Sequence, residues 1–246
     1  MSNLTGKRAF VTGGSRGIGA AIVRQFAANG ADVAIGYERS ATAAQALVDE
    51  LKKLGRNALA VQMDAADPAS VKKAVDEAAA GLGGLDILVN NAGILWAGPI
   101  ETMTLENVND HLNVNIRAVV VASQAALAHL SDGGRIISTG SNLALRVPGP
   151  GMSLYSLSKA ALIGWTKGLA RDVGSRGITV NIVHPGSTDT DMNPANNPNS
   201  DNQRARMAIP RFAEPKDVAS VFAYLASPEA RSVTGAEFTV DGGANA

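Results

Sequence analysis

VTGGSRGIG, residues 11–19, is a glycine-rich stretch that joins the apolar run 8–12 to the helical pattern 18–30. Glycines allow a tight turn and a close approach of the backbone to a ligand. The first turn of a helix presents free N–H groups and the positive end of the helix dipole, which together favour a phosphate group. A lone glycine cluster is weak evidence, but its place between an apolar run and a helical pattern predicts a dinucleotide-binding unit.

Short apolar runs alternate with helical patterns along the rest of the chain. The runs predict strands at 8–12, 32–37, 57–63, 85–90, 134–140, 177–186 and 237–243. The helical patterns predict helices at 18–30, 41–54, 68–81, 104–130, around Tyr155, and at 215–226. We expect Gly30 and Gly81 to end the first and third helices. The alternation favours one α/β domain over residues 1–246, with a doubly wound sheet of seven mainly parallel strands and helices on both faces.

The composition excludes several classes of function. Basic and acidic residues number 22 each and no long basic run occurs, which argues against nucleic-acid binding. The absence of cysteine excludes disulfides and thiolate metal sites. The three histidines, His111, His129 and His184, are far apart in sequence, and we interpret them as structural or surface residues with no metal site. No signal-like segment or run of 18 apolar residues occurs, so we expect a cytoplasmic protein without a membrane partner.

SLYSLSKAALIGW, residues 153–165, places Tyr155 and Lys159 four residues apart on one helix face. Chance could place such a pair on a surface helix. An ammonium about 4 Å away could also lower the pKa of the tyrosine, ordinarily ~10, by up to about 3 units. That tyrosine could then act as an acid or base near neutral pH. We expect this helix to bury a stripe of residues consisting of Leu154, Leu157, Ala161, Trp165 and Leu169.

Further motifs follow in order along the chain: NNAG (90–93), NVNI with Asn115, TGSN with Ser141, HPGSTDT (184–190) and VDGG (240–243). With the glycine-rich turn, which reads Thr12-Gly13-x-x-x-Gly17-Ile18-Gly19, and the Tyr155–Lys159 pair, they make the chain resemble the short-chain dehydrogenases/reductases from about residue 5 to 246. The resemblance implies a Rossmann-type domain, a homotetramer, and hydride transfer between a nicotinamide and a small-molecule ketone or alcohol.

The resemblance also implies catalytic roles. Tyr155 would be the acid–base, Lys159 would lower its pKa and hold the nicotinamide ribose, and Ser141 would bind the substrate oxygen. Asn115 would link Lys159 to a proton-supplying water chain; it matches the family pattern better than the neighbouring Asn113. Ser141 and Tyr155 are fourteen positions apart, one more than is usual in the family, which predicts an unusual pocket wall.

The cofactor-binding residues implied by the resemblance come from six segments. They are Gly13, Ser15, Arg16, Gly17, Ile18, Gly19, Tyr37, Arg39, Asp64, Asn91, Ala92, Gly93, Tyr155, Lys159, Pro185, Gly186, Thr188 and Thr190. Thr188 and Thr190 would meet the nicotinamide amide. Asp64 would contact adenine, although a helix N-cap role explains it equally well.

NADP(H) is favoured over NAD(H). Tyr37 stands where NAD-specific members carry aspartate, and an arginine near the end of the second strand can accommodate the 2′-phosphate of NADP. Arg16 and Arg39 could bind this phosphate through paired hydrogen bonds. Glu38 is contrary evidence, because its carboxylate would repel the phosphate unless it points away.

An irregular segment rich in asparagine and proline covers about residues 188–212, and we predict a substrate lid there. Trp96, Leu143, Leu145 and Met152 would give an apolar pocket for an aryl or alkyl ketone. We therefore predict an NADPH-dependent carbonyl reductase or alcohol dehydrogenase. The alternatives are an NAD-dependent alcohol dehydrogenase and a nucleotide-binding regulator, since the chain is similar to a branch of the family that includes a cyclic-di-GMP-binding biofilm-dispersal protein.

Overall fold

The computed structural model describes residues 3–246, which form one parallel sheet with helices on both faces. The strands pair in the order β3-β2-β1-β4-β5-β6-β7, and every pair is parallel. Their bounds are β1 Arg8–Val11, β2 Asp32–Tyr37, β3 Ala58–Gln62, β4 Leu85–Asn90, β5 Leu130–Thr139, β6 Thr179–Pro185 and β7 Glu237–Val240. The predicted α/β fold with a seven-stranded, doubly wound sheet is confirmed.

The helices divide between the two faces of the sheet. They are α1 Gly17–Ala28, α2 Ala41–Lys53, α3 Pro68–Leu82, α4 Leu105–His111, α5 Ala118–Ala126, α6 Ser153–Val173, α7 Ser200–Arg204 and α8 Pro215–Ala226. One core joins the sheet to α1, α2 and α8, and the other joins it to α3, α5 and α6. Successive strand residues supply opposite cores, since Ala9 and Val11 belong to the first and Phe10 to the second. This two-sided burial explains why the strands are almost wholly apolar.

The predicted helix at 104–130 is wrong in detail. A π-helical segment, Leu112–Arg117, separates α4 from α5, and α5 ends at Ala126. The strand predicted at 134–140 begins instead at Leu130, which pairs with Leu85 before the register shifts. An apolar pattern cannot reveal either irregularity, because both depend on what packs against the segment.

Two smaller predictions also fail. Gly83, with φ of 74°, ends α3 in the left-handed conformation that favours glycine, whereas Gly81 lies inside the helix. In α6, Leu154 and Leu169 are buried as predicted, but Leu157 is 55% exposed and Ala161 is also exposed. The small and polar side chains of Ser158 and Thr166 are fully buried instead. Among the described helices, none is both long and apolar enough to cross a membrane.

Candidate active site

The glycine-rich turn lies between β1 and β4, where the strand order reverses and α/β sheets open a crevice. The Thr12 hydroxyl accepts the N–H groups of Asn91 and Ala92 at 2.9 and 3.0 Å, and the Asn91 amide donates to the Thr12 and Gly13 carbonyls. A Cβ at Gly13, whose φ is 60°, would lie 2.9 Å from the Ala92 Cα. The turn and the 90–93 loop therefore form one rigid unit that only glycine permits.

The same turn leaves a cradle for phosphate. Helix α1 begins at Gly17, and no side chain caps its N-terminus, so its first amide N–H groups point outward. A Cβ at Gly19 would collide with the Gly13 carbonyl, and one at Gly17 would contact Thr190. The residues present therefore fit a dinucleotide pyrophosphate at the positive end of the α1 dipole.

A cavity of about 850 Å³ runs along the carboxyl ends of the strands. It gathers nearly all the predicted site residues from separate segments of the chain. Its lining includes Gly13, Ser15, Arg16, Gly17, Ile18, Gly19, Tyr37, Arg39, Asn91, Ala92, Gly93, Ser141, Tyr155, Lys159, Pro185, Gly186, Thr188 and Thr190.

Tyr155 and Lys159 lie one turn apart near the start of α6, and Ser141 follows β5. The Lys159 ammonium donates to the Thr139 carbonyl at 2.9 Å and lies 5.8 Å from the centre of the Tyr155 ring. Burial lowers the pKa of Lys159 to about 8. The three side chains thus form a compact group of a phenol, an amine and a hydroxyl at the inner wall of the cavity.

The sequence predicts that Lys159 lowers the pKa of Tyr155, whereas in the protein without bound cofactor this pKa is raised. Burial raises the pKa of the phenol, and its hydrogen bond with Ser141 opposes that rise. In the described chain the Lys159 ammonium donates to the Thr139 carbonyl, and no hydrogen bond joins it to the phenol. Lost hydration therefore outweighs the Ser141 hydrogen bond in this environment.

Asn115 lies in the π-helical segment and is buried behind the cavity, which it does not line. Its side chain accepts the Ile94 N–H at 2.9 Å and donates to the Ile94 carbonyl and the Ser158 hydroxyl, each at 3.0 Å. A Cβ at Gly93 would lie 3.3 Å from both the Asn115 Oδ1 and the Lys159 Nζ. Asn115 therefore connects the 90–93 loop to α6 immediately beside the lysine.

His184 is a site residue that the sequence did not reveal, since it was interpreted only as structural or surface. Its fully buried ring places Nδ1 3.2 Å from the Ser141 nitrogen and 3.0 Å from the Ser141 carbonyl oxygen. Its Nε2 lies 3.4 Å from Glu237, which also pairs with Lys167 at 2.7 Å. Burial lowers the pKa of His184, so the neutral ring supports the backbone of Ser141. Its position directly before Pro185 and Gly186 was the only available sequence signal.

Asp64 does not line the cavity, although Met63 and Ala65 on either side do. Its carboxylate accepts the Ala66 N–H at 2.8 Å in a local turn, while Asp67 caps α3. Asp67 rather than Asp64 therefore fills the N-cap role, and the adenine contact of Asp64 stays a prediction.

The pocket wall agrees with the prediction only in part. Leu143 and Met152 line the cavity, whereas Trp96 and Leu145 do not. Leu145 is 49% exposed, and a Cβ at Gly98 would lie only 2.6 Å from the Trp96 ring, which shows how closely that ring packs on the glycine.

Charged side chains at the β2 end of the cavity are paired with one another. Arg39 donates to the Glu38 carboxylate at 2.9 Å, and the Arg16 guanidinium lies 3.9 Å from Asp191. Both arginines are largely exposed, which leaves them able to change partners. The Glu38 charge that argued against NADP is thus offset by Arg39 in this structure.

Comparisons with known proteins agree with this geometry. A family model described as Enoyl-(Acyl carrier protein) reductase matches residues 13–245. The chain is 46% identical, over 98% of each chain, to a cyclic-di-GMP-binding biofilm dispersal mediator protein of Escherichia coli. It is 38% identical to a hydroxynaphthalene reductase of Aspergillus fumigatus, over 96% of this chain and 91% of the relative.

A short-chain dehydrogenase from Burkholderia cenocepacia, solved in complex with NADP, superposes with a TM-score of 0.98. The two chains are 64% identical over 99% of this chain and 100% of the other. This solved relative binds NADP, the cofactor that the sequence analysis favours over NAD. Together with the glycine cradle and the Ser141, Tyr155 and Lys159 group, these matches show that the chain belongs to the short-chain dehydrogenase/reductase family.

Proposed function

We propose that this protein is an NADPH-dependent carbonyl reductase that also catalyses the reverse oxidation of the alcohol. The observation that carries the proposal is the placement of Ser141, Tyr155 and Lys159 in one cavity with the uncapped, glycine-lined start of α1. A regulator that only binds a nucleotide has no need for a phenol, an amine and a hydroxyl at its inner wall.

The residues divide the chemistry among them. NADPH, when bound in this cavity, would supply the hydride that the carbonyl carbon accepts. The Ser141 hydroxyl holds the carbonyl oxygen by a hydrogen bond, and Tyr155 transfers its phenolic proton to that oxygen, which completes the alcohol. The buried Lys159 ammonium stabilises the resulting phenolate, and Asn115 supports the loop beside it. In the reverse direction Tyr155 accepts the proton of the alcohol.

Because burial raises its pKa, the Tyr155 phenol is protonated at neutral pH and can donate its proton to the substrate oxygen. A bound nicotinamide ring, when oxidised, would add positive charge beside the phenolate that forms. The Thr188 and Thr190 hydroxyls line the same part of the cavity and could bind the nicotinamide amide.

Arg16 and Arg39 would bind the 2′-phosphate that distinguishes NADP(H) from NAD(H). Both arginines line the cavity, as does Tyr37. The NADP complex of the Burkholderia relative supports this preference. Arg16→Ala should weaken NADPH binding by about tenfold and leave NADH binding nearly unchanged. An equal loss for both cofactors in a binding titration would contradict the assignment.

The decisive experiment follows the absorbance of NADPH or NADH over a panel of aryl ketones, 3-oxoesters, diketones and sugars. We expect turnover that favours NADPH and disappears in Tyr155→Phe, which should still bind NADPH. A preference for NADH would indicate the NAD-dependent alcohol dehydrogenase. Turnover that survives in Tyr155→Phe would refute the proposed role of the phenol.

A second candidate is a cyclic-di-GMP-binding regulator, which the 46% identity to the Escherichia coli protein favours. A direct titration with cyclic-di-GMP separates the two functions. Binding that is equal in wild type and Tyr155→Phe, without any ketone reduction, would support the regulator. Reduction of a ketone by a protein that does not bind cyclic-di-GMP would exclude the regulator.

We further propose that residues 188–212 act as the substrate lid. The segment is closed at its base by the pairing of Thr188 with Ala213, and α7 lies within it. Several of its side chains line the cavity, including Met192, Asn193, Asn199 and Gln203. A cytoplasmic location and assembly as a homotetramer are part of the same proposal.

A further inference from the structure

The strand order separates the cavity into two halves with different charges. Tyr37 ends β2 and Glu38 and Arg39 follow it, on one side of the β1–β4 crevice. Ser141 follows β5, and the loop after β7 reaches the cavity at Ala244. The 2′-phosphate end and the substrate end therefore lie on opposite sides of the sheet's switch point.

Apart from Lys159 beside Tyr155, Arg146 and Arg206 are the cationic side chains that line the cavity away from the 2′-phosphate end. The carboxylates in the lining are Glu38, which pairs with Arg39, and Asp191, which lies 3.9 Å from Arg16. Within residues 3–246, no carboxylate lies within 4 Å of the Arg146 or Arg206 guanidinium.

Other arginines of the same segment have partners. Arg204 pairs with Asp201 at 2.7 Å and lies over the Phe212 ring, and Arg211 pairs with Asp217 at 3.5 Å. Neither of these two lines the cavity. In this segment, the arginine that reaches the cavity is thus the one without a carboxylate partner.

The loop after β7 connects the segments that carry the two unpaired arginines. Arg146 donates to the Ala244 carbonyl at 3.4 Å, a long and weak bond. The Ile209 N–H donates to the Gly242 carbonyl at 2.8 Å, which ties the segment beyond Arg206 to the same loop. The side chain of Asn245 donates to the Asn142 carbonyl at 2.7 Å. Arg146 therefore contacts this loop directly, Arg206 lies in a segment that is bonded to it, and both arginines are exposed at the rim of the cavity.

Ile94, Leu143, Pro148, Pro150 and Met152 give the cavity an apolar part, beside polar side chains such as Asn142 and Asn193. Two cations above an apolar pocket match a molecule with an apolar body and an anionic end. An arginine binds a carboxylate through two parallel hydrogen bonds.

We propose that the substrate is an anionic ketone, whose carboxylate binds Arg146 and Arg206 while its carbonyl meets Ser141 and Tyr155. This proposal rests on the reductase function and adds the charge of the substrate to it. It makes both arginines determinants of specificity at the rim, remote from the reacting atoms.

The test compares each ketone acid with its methyl ester, namely 4-acetylbenzoate and 4-oxopentanoate against methyl 4-acetylbenzoate and methyl 4-oxopentanoate. We expect kcat/KM to be about tenfold higher for at least one acid than for its ester, and the difference to shrink as salt rises. The double variant Arg146→Met/Arg206→Met should lose this advantage and keep the affinity for NADPH.

Arg211→Met is the matched control, because it removes an arginine of the same segment that lies outside the cavity. It should leave the preference for the acid intact. Esters turned over as well as or better than their acids, with no effect of the double variant, would overturn the proposal and leave the reductase function standing.

A second measurement separates the proposal from the reductase function. The four compounds are titrated against the NADPH-bound protein, and binding is followed by the fluorescence of NADPH. Tighter binding of an acid that depends on Arg146 and Arg206 would support an anionic ligand even without turnover. Equal affinities for each acid and its methyl ester would overturn the anionic site. So would the absence of any binding and turnover.

Discussion

At the scale of single residues, burial determines the chemistry of the candidate site. Lys159 is 4% exposed, and its only partner in the described chain is a neutral carbonyl. A charged amine without a carboxylate is costly to bury, which is why its pKa lies near 8. The same desolvation raises the pKa of Tyr155. The site therefore keeps a protonated phenol beside an amine that titrates close to neutral pH.

The depressed pKa of Lys159 predicts how stability depends on pH. Between about pH 8 and 10 the folded protein releases the Lys159 proton while the unfolded chain, with a pKa near 10.5, still holds it. The unfolded state then binds more protons, so the free energy of unfolding should rise with pH by up to about 3 kcal/mol. Tyr155 keeps its proton in this window, because its pKa is raised.

Urea unfolding of the wild type and of Lys159→Met at a series of pH values measures this contribution. The wild type should gain stability relative to the variant as pH increases from 8 to 10. If the free energy of unfolding changed with pH in the same way for both proteins, Lys159 would not be the cause of the rise in stability.

Gly140 permits the contact between His184 and Ser141. A Cβ at this position would lie 2.5 Å from the His184 Nδ1, so Gly140→Ala should displace the ring and the Ser141 backbone with it. We expect kcat to fall by about tenfold or more, because small displacements of reacting groups are costly, and NADPH affinity to change little. Gly174→Ala is the control, since its Cβ would meet nothing within 4 Å. Unchanged kcat in Gly140→Ala would refute the positioning role of His184.

At the scale of secondary structure, the π-helical segment between α4 and α5 is the decisive irregularity. The wider turn places Asn115 where it can bond to the Ile94 backbone and to Ser158. Such insertions in helices often mark functional sites, and here the segment adjoins Lys159. The helix deviates from the regular form because these hydrogen bonds compensate for the backbone bonds it gives up.

Asn115→Ala should destabilise the fold as well as the activity. The change leaves the Ile94 N–H without its side-chain partner and removes a buried bond to Ser158, a cost of about 1–3 kcal/mol. Asn113→Ala, in the same segment, should change stability by less than about 0.5 kcal/mol. Urea unfolding and ketone reduction are measured for both variants. Equal effects of the two substitutions would contradict the assignment of Asn115.

At the scale of the whole molecule, exposed leucines mark a candidate surface for assembly. Leu105 is 73% exposed, Leu112 is 38% exposed and Leu157 is 55% exposed, on α4, the π-helical segment and α6. These elements are neighbours in the fold. Clustered exposed apolar side chains commonly mark protein–protein interfaces. The homotetramer expected from the sequence stays a prediction that this surface makes testable.

Leu157→Glu should dissociate the tetramer, because a charge placed in an apolar interface loses its hydration. Leu54→Glu is a matched control, since Leu54 has the same 55% exposure but follows α2 on the opposite face of the sheet. Sedimentation velocity of the three proteins measures the change. A wild type that sediments as a monomer, or a Leu157→Glu variant that assembles normally, would contradict the prediction.

The sequence by itself determined the order of the strands and helices and the type of fold. Its apolar runs and helical patterns are local records of burial, and seven of them correspond to the seven strands. Most of the site residues that it predicted line the cavity, because the motifs place them directly after β1, β4, β5 and β6 or at the start of α6. Parallel strands bring all these ends to one edge, so position in the pattern was sufficient.

Only the tertiary structure decided the contacts between distant segments. His184 meets Ser141 across 43 positions, and the π-helical turn exists because Asn115 bonds to Ile94 and Ser158. The direction of the Tyr155 pKa depended on burial, which spacing along a helix does not reveal. Hydration, hydrogen-bond partners and close packing depend on atoms far away in sequence, whereas periodicity reports only which side of a segment faces the core.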